Sequence, residues 1–215
     1  FYNEIEEVFL KNNFNTVMTV FELEIDKAKI NFKKKKNGKM ILRNAAITLT
    51  EAIILASARI LDVEFSEIKG GTRIRQSKDL MYIDIFLFDS LSSGAGYSSQ
   101  LANISEQLFE ETKKILKNCD CGSSCHECLH HFWNQRNQNK LNRFLALDLL
   151  NWLEKSTLPD LFTLEKQIDL FKPLEILLEL DSYKLSYQNQ QIQVINKNGE
   201  IKNVIIYPVL LNKNQ

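Results

Sequence analysis

Cys119, Cys121, Cys125 and Cys128 gather four thiols into ten residues, in the spacing C-x-C-x3-C-x2-C. Disulfides staple distant parts of a chain, and bonds at this spacing would staple almost nothing. A metal fits better, because zinc takes four tetrahedral ligands and thiolates commonly supply all of them in closed structural sites. Gly122, Ser123 and Ser124 give the chain room to turn both pairs toward one point. Four thiolates leave no open coordination position, so such a site organises structure and does no hydrolysis. One zinc ion and a reducing cytoplasm are therefore expected. His126, His130 and His131 lie in the same stretch, and a site using one of them in place of a cysteine is one alternative. An iron–sulfur cluster is another, since Cys121, Cys125 and Cys128 alone have the C-x3-C-x2-C spacing of radical-SAM enzymes. Against it stand a fourth cysteine two residues upstream and the 87 residues that follow Cys128, too few for a barrel around the cluster.

The elements that must position this loop are legible on both sides of it. Residues 17–25 are rich in β-branched and aromatic residues and predict a strand. Lys33, Lys34, Lys35 and Lys36 precede Asn37-Gly38, which predicts a hairpin across 27–43 with the lysines coating its solvated tip. Phosphate contact is the alternative role for that run. Thr48-Leu49-Thr50-Glu51 reads as a capping box opening an apolar helix through about Leu61. Gly70-Gly71 reads as a turn, and 80–88 as a central strand. That strand runs through Asp89 into Gly94-Ala95-Gly96-Tyr97 and then a helix, with Leu101, Ile104, Leu108 and Ile115 at helical spacing. Glycines at this junction suit a tight turn, though exposed N–H groups at a helix start can also hold a phosphate. A further helix is expected from about Lys140 to Leu153. Beyond it, 161–180 reads as helix with Pro173 as a break or new start, and 191–207 as a hairpin around Asn198-Gly199.

These elements give an α+β fold: a small antiparallel sheet with packed helices, a compact four-cysteine zinc loop between two helices, and an appended helix-hairpin unit. The expected division is 1–156 for the zinc-binding domain and 157–215 for the extension. The 27 basic and 27 acidic residues cancel, which argues against nucleic-acid binding by bulk attraction but leaves room for a local patch. Arg136, Lys140 and Arg143 recur near the cysteines as phosphate contacts or as a solvated face. Phe132 and Trp133 read first as core and second as platforms for stacked bases. No apolar run approaches the roughly 18 residues of a membrane span, so a soluble protein without a membrane partner is expected. The opening Phe-Tyr-Asn-Glu, with no initiator Met, reads as a fragment of a longer polypeptide.

The segment FDSLSSGAGYSSQL, then CDCGSSCHECL, then Asn134-Gln135 and an L-x-R-x-x-A run ending in LDLL resembles the MZB domain. That is the MrfA zinc-binding domain of certain DEAD/DEAH-box superfamily 2 DNA helicases and of DrmB proteins of DISARM phage defence. The resemblance covers about 14–155. It implies that the four cysteines are the zinc ligands and that Asp89, Gly94, Gly96, Tyr97, Asn134 and Arg143 fall on other motif positions. Ser92-Ser93, Gln138 and Asn142 depart from the Pro-Gly, His and Asp often found in the family. The resemblance also implies an accessory domain of a helicase or translocase, with motor domains in cis or a helicase subunit in trans, DNA as a partner, and a place in phage defence or DNA repair. The chain has no P-loop and no DEAD/DEAH sequence, so no enzymatic activity of its own is expected. The competing readings are a zinc-stabilised protein-interaction module and an iron–sulfur redox protein.

Overall fold

The computed structural model describes residues 16–26, 36–91, 95–155, 162–188, 191–208 and 210. Strand β1 (Met18–Asp26) precedes a long helix, α1 (Lys36–Leu61), and strands β2 (Ile68–Gln76) and β3 (Leu80–Asp89) follow. Helices α2 (Tyr97–Asn103) and α3 (Ser105–Lys117) lead into the cysteine loop, and α4 (Arg143–Lys155) leaves it. The later residues form α5 (Leu164–Leu180), β4 (Lys184–Gln188), β5 (Gln191–Ile195) and β6 (Ile201–Val204). Two antiparallel three-stranded sheets result, in the orders β1-β3-β2 and β4-β5-β6. The fold is α+β, with the four cysteines between α3 and α4.

Alternation along β3 explains the main core. Met81, Ile83, Ile85 and Leu87 are fully buried and share one face of the central strand. Leu42, Ala45, Ala46, Leu49, Ala52, Ile53 and Ala56 are equally buried along α1, at spacings that wrap more than one side of the helix. The small alanines let α1 pack against the sheet and also against α3 and α4, which contribute Leu108, Leu116, Ala146, Leu149 and Leu150. On the other face of β3, the carboxylate of Asp84 accepts from Arg73 Nε at 3.0 Å and Arg75 Nε at 2.7 Å. The Arg75 guanidinium, followed by Arg73, holds that carboxyl down at about 2 against the opposing effect of burial. A second, smaller core joins Phe171, Ile192 and Val194, while Leu210 returns to the first.

Several expectations about local structure are corrected. Asn37-Gly38 lies in the first turn of α1, so there is no hairpin at this point; a helix start tolerates both residues, and the helical periodicity that follows decides. Lys33, Lys34 and Lys35 lie outside the described residues, and Lys36 opens α1. Thr48 is buried mid-helix and caps nothing: its hydroxyl donates to Asn44 O at 2.6 Å and accepts from Asn142 N at 3.0 Å. Gly70 and Gly71 sit inside β2, where a Cβ would stand 2.7 Å from Phe86 O and 2.6 Å from Phe86 Cζ respectively. They serve close approach instead of a turn. Pro173 falls within α5 without ending it, and β4 adds a third strand to the expected hairpin.

Met40–Leu61 is long and apolar enough to cross a membrane by length and composition, with a mean hydropathy of 1.4. This corrects the expectation that no segment approaches that length. Its apolar residues are largely accounted for by burial against the sheet, α3 and α4.

Burial also pushes the Asp148 carboxyl on α4 up to about 6. Folding then favours the protonated acid, so the contribution of Asp148 to stability is greatest at low pH and falls as pH rises from about 4 toward 6. We expect Asp148→Asn to flatten that slope and to stabilise the protein at pH 7 by about 2 kcal/mol, read as a higher Tm.

Candidate metal centre

The cysteine loop is built from two short turns. Cys119 follows the end of α3, where its N–H donates to Lys117 O at 2.9 Å. The second turn closes on Cys125 O, which accepts from Leu129 N at 3.0 Å and His130 N at 2.9 Å. Together they bring the four Sγ atoms within 4.8 Å of one another. The nearest pairs are 3.6 Å for Cys119–Cys125 and 3.7 Å for both Cys121–Cys128 and Cys125–Cys128. A disulfide needs about 2.05 Å, so none is formed. A zinc tetrahedron with Zn–S bonds of about 2.3 Å has S···S edges of about 3.8 Å, close to these separations. Cys128 is buried, and burial pushes its thiol up to about 12. A thiolate there calls for a cation to balance it, and zinc supplies that balance.

Two of the three histidines are engaged elsewhere. His130 Nε2 meets Ser124 Oγ at 2.8 Å, and His131 Nε2 meets Glu51 Oε2 at 2.9 Å. Among the described residues the metal-capable group consists of the four cysteines.

The surrounding motif residues hold this loop in place. Arg143 is only 8% exposed. Its Nε and Nη2 donate to Cys121 O at 3.1 and 2.9 Å, and its Nη1 donates to Leu116 O at 3.1 Å. Its own N–H donates to Ser123 O at 2.9 Å. The guanidinium proposed from sequence as a phosphate contact is thus committed to the end of α3 and the metal loop. Asn134 donates to Leu129 O at 2.8 Å and to Glu51 Oε2 at 3.2 Å, clamping the loop onto α1.

Asp89 explains the GAGY turn. Its carboxylate accepts from Gly96 N at 2.6 Å and Ser98 N at 2.9 Å, so the start of α2 already carries an anion from the protein itself. Gly96 adopts φ 83°, which favours glycine. Tyr97 hydrogen-bonds to Glu67, which raises its phenol above the usual range. Gly94 lies outside the described residues. These contacts favour a structural role for the turn over phosphate binding.

Phe132 and Trp133 overturn the core reading: they are 71% and 69% exposed and pack edge to face at 5.2 Å. They begin a 3-10 stretch, Phe132–Lys140, that carries the exposed Arg136 and Lys140. The lack of helical periodicity in FWNQRNQNK was the available signal that these rings are not held by a helix packed on the core.

An α+β unit closed by four clustered thiolates defines a structural metal-binding domain. Residues 49–129 match the family model of MZB, the MrfA Zn-binding domain, and the four cysteines are positioned to hold its zinc ion. A relative, Druantia protein DruE from Escherichia coli (strain UMEA 4076-1), is 29% identical over 216 residues. The alignment covers 98% of this chain, and hence its C-terminal unit, but the chain spans only 12% of the relative's length. Among solved structures, the crystal structure of DUF1998 helicase MrfA bound to DNA overlaps 57% of this chain and 16% of that chain, with 15% identity and a TM-score of 0.41.

Proposed function

We propose that this chain is the structural zinc domain of an ATP-dependent DNA helicase or translocase in anti-phage defence or DNA repair, acting in the cytoplasm. The MZB match carries the proposal: MrfA, from which the family takes its name, is a helicase solved with DNA. The domain supplies shape and DNA contact while motor domains, in the same polypeptide or in a partner subunit, supply ATP hydrolysis. In this reading residues 1–156 are the MZB unit and 157–215 a C-terminal helix and hairpin extension. Four thiolates leave zinc no open position for chemistry, in keeping with a scaffold. The exposed Phe132 and Trp133, flanked by Arg136 and Lys140, form the DNA-facing edge.

The test is the salt dependence of single-stranded DNA affinity. If Arg136 and Lys140 neutralise two phosphates, log K should fall against log salt with a slope of about −1.4, and replacing both by Ser should flatten it. No affinity, or affinity indifferent to salt, would instead favour a zinc-stabilised protein-interaction module.

A further inference from the structure

A cleft of about 370 Å³ opens beside the metal loop, lined by Glu51, Phe65, Lys69, Phe88, His131 and Trp133 among others. Its size falls within the roughly 300–1,000 Å³ typical of small-ligand sites. Neither zinc binding nor the bracing by Arg143 uses it. The Phe65 ring lies 4.4 Å from His131, and Trp133 offers a largely exposed indole as another wall. Glu51 Oε2 is held by both His131 Nε2 and Asn134 Nδ2, which fixes the carboxylate in place. Both of those contacts fall on Oε2, which leaves Oε1 to act as an acceptor. Lys69, exposed on the edge strand β2, adds a cation.

We propose that this cleft takes one unstacked, amino-bearing base of single-stranded DNA, with Glu51 Oε1 accepting from the exocyclic amino group. The inference rests on the DNA-binding reading above. Aromatic walls accept the flat face of any base, whereas a fixed carboxylate accepts only from a donor. Cytosine, adenine and guanine carry an exocyclic amino group. Thymine puts the O4 carbonyl where cytosine has its amino group, which a carboxylate repels, and its one donor, N3–H, sits recessed between two carbonyls. Lys69 meets a neighbouring phosphate at the rim.

The experiment compares the zinc-loaded chain with Trp133→Ala and Phe132→Ala, using fluorescence anisotropy with labelled oligo(dC) and oligo(dT) of equal length at one salt concentration. Phe132 is the control, because it is exposed beside Trp133 but does not line the cleft. The parent should prefer oligo(dC) by about 5-fold or more, as expected for one donor–acceptor contact. Trp133→Ala should weaken oligo(dC) binding by about 10-fold and erase the preference, through lost stacking. Phe132→Ala should weaken both oligonucleotides equally and keep the preference. Equal binding of the two by the parent, or the same effect from both variants, overturns the base site while leaving DNA binding intact. A side chain of a protein partner in the cleft would give that result. Failure to bind either oligonucleotide overturns both the site and the DNA-binding reading.

Discussion

Each chain should contain one zinc and no iron by elemental analysis, and Cys125→Ser should lose the metal together with the fold around it. The nearest Sγ separations of 3.6–3.7 Å, with all four atoms within 4.8 Å, suit one tetrahedral ion, so three remaining thiolates and a serine hydroxyl make a much poorer site. Cys128 belongs to the main hydrophobic core, and Cys119, Cys121 and Cys125 pack against it, so losing the metal exposes that core instead of freeing a surface loop. Structural zinc contributes folding free energy on the order of 10 kcal/mol, comparable with the whole stability of an ordinary domain. Chelation should therefore abolish cooperative melting in the parent. A Cys125→Ser chain that kept stoichiometric zinc and its melting temperature would sink the four-thiolate assignment. Stoichiometric iron with visible absorption would replace zinc by an iron–sulfur cluster.

Arg143→Met should be the next most damaging change. The methionine keeps much of the aliphatic bulk but leaves Leu116 O and Cys121 O without the donors that now serve them. Each buried acceptor left unsatisfied costs about 1–3 kcal/mol, for a total of about 4 kcal/mol. In a domain of this size that lowers Tm by roughly 8–16 °C. Arg143→Lys should recover only part of the loss, because an ammonium lacks the planar fork that reaches two carbonyls at once. Both effects should be measured by calorimetry in the absence of DNA. A Met variant that melts like the parent but binds DNA poorly would restore Arg143 to the phosphate-contact role.

The parts that were legible from sequence are those whose chemistry is local. Four cysteines in ten residues announce a metal whatever surrounds them, and the run from Leu80 to Phe88 announces a central strand by its apolar continuity. What failed depended on distant partners. Thr48 and Glu51 have the spacing of a capping box, yet one meets Asn142 and the other His131, both far along the chain. Gly70 and Gly71 look like a turn until Phe86 is laid across them. Arg143 was indistinguishable from a solvated base because the carbonyls it serves leave no trace in residue type. Phe132 and Trp133 erred in the opposite sense: their composition says core, while their position on a 3-10 stretch outside the helical layers turns them to solvent.

The pairing of a very local metal loop with very distant clamps sets the order in which this chain assembles. The four thiols lie within ten residues, so ion capture requires only a short closure that polypeptides complete in roughly 10–100 ns. The contacts that dock the loop join residues 80 to 94 positions apart, and Trp152 donates to Glu24 O across 128 positions. Closures of that span dominate the search for the native topology. The rate of refolding should therefore be governed by the meeting of α1, the sheet and α4. The loaded loop enters that search as a preformed knot, with its position on the scaffold decided last.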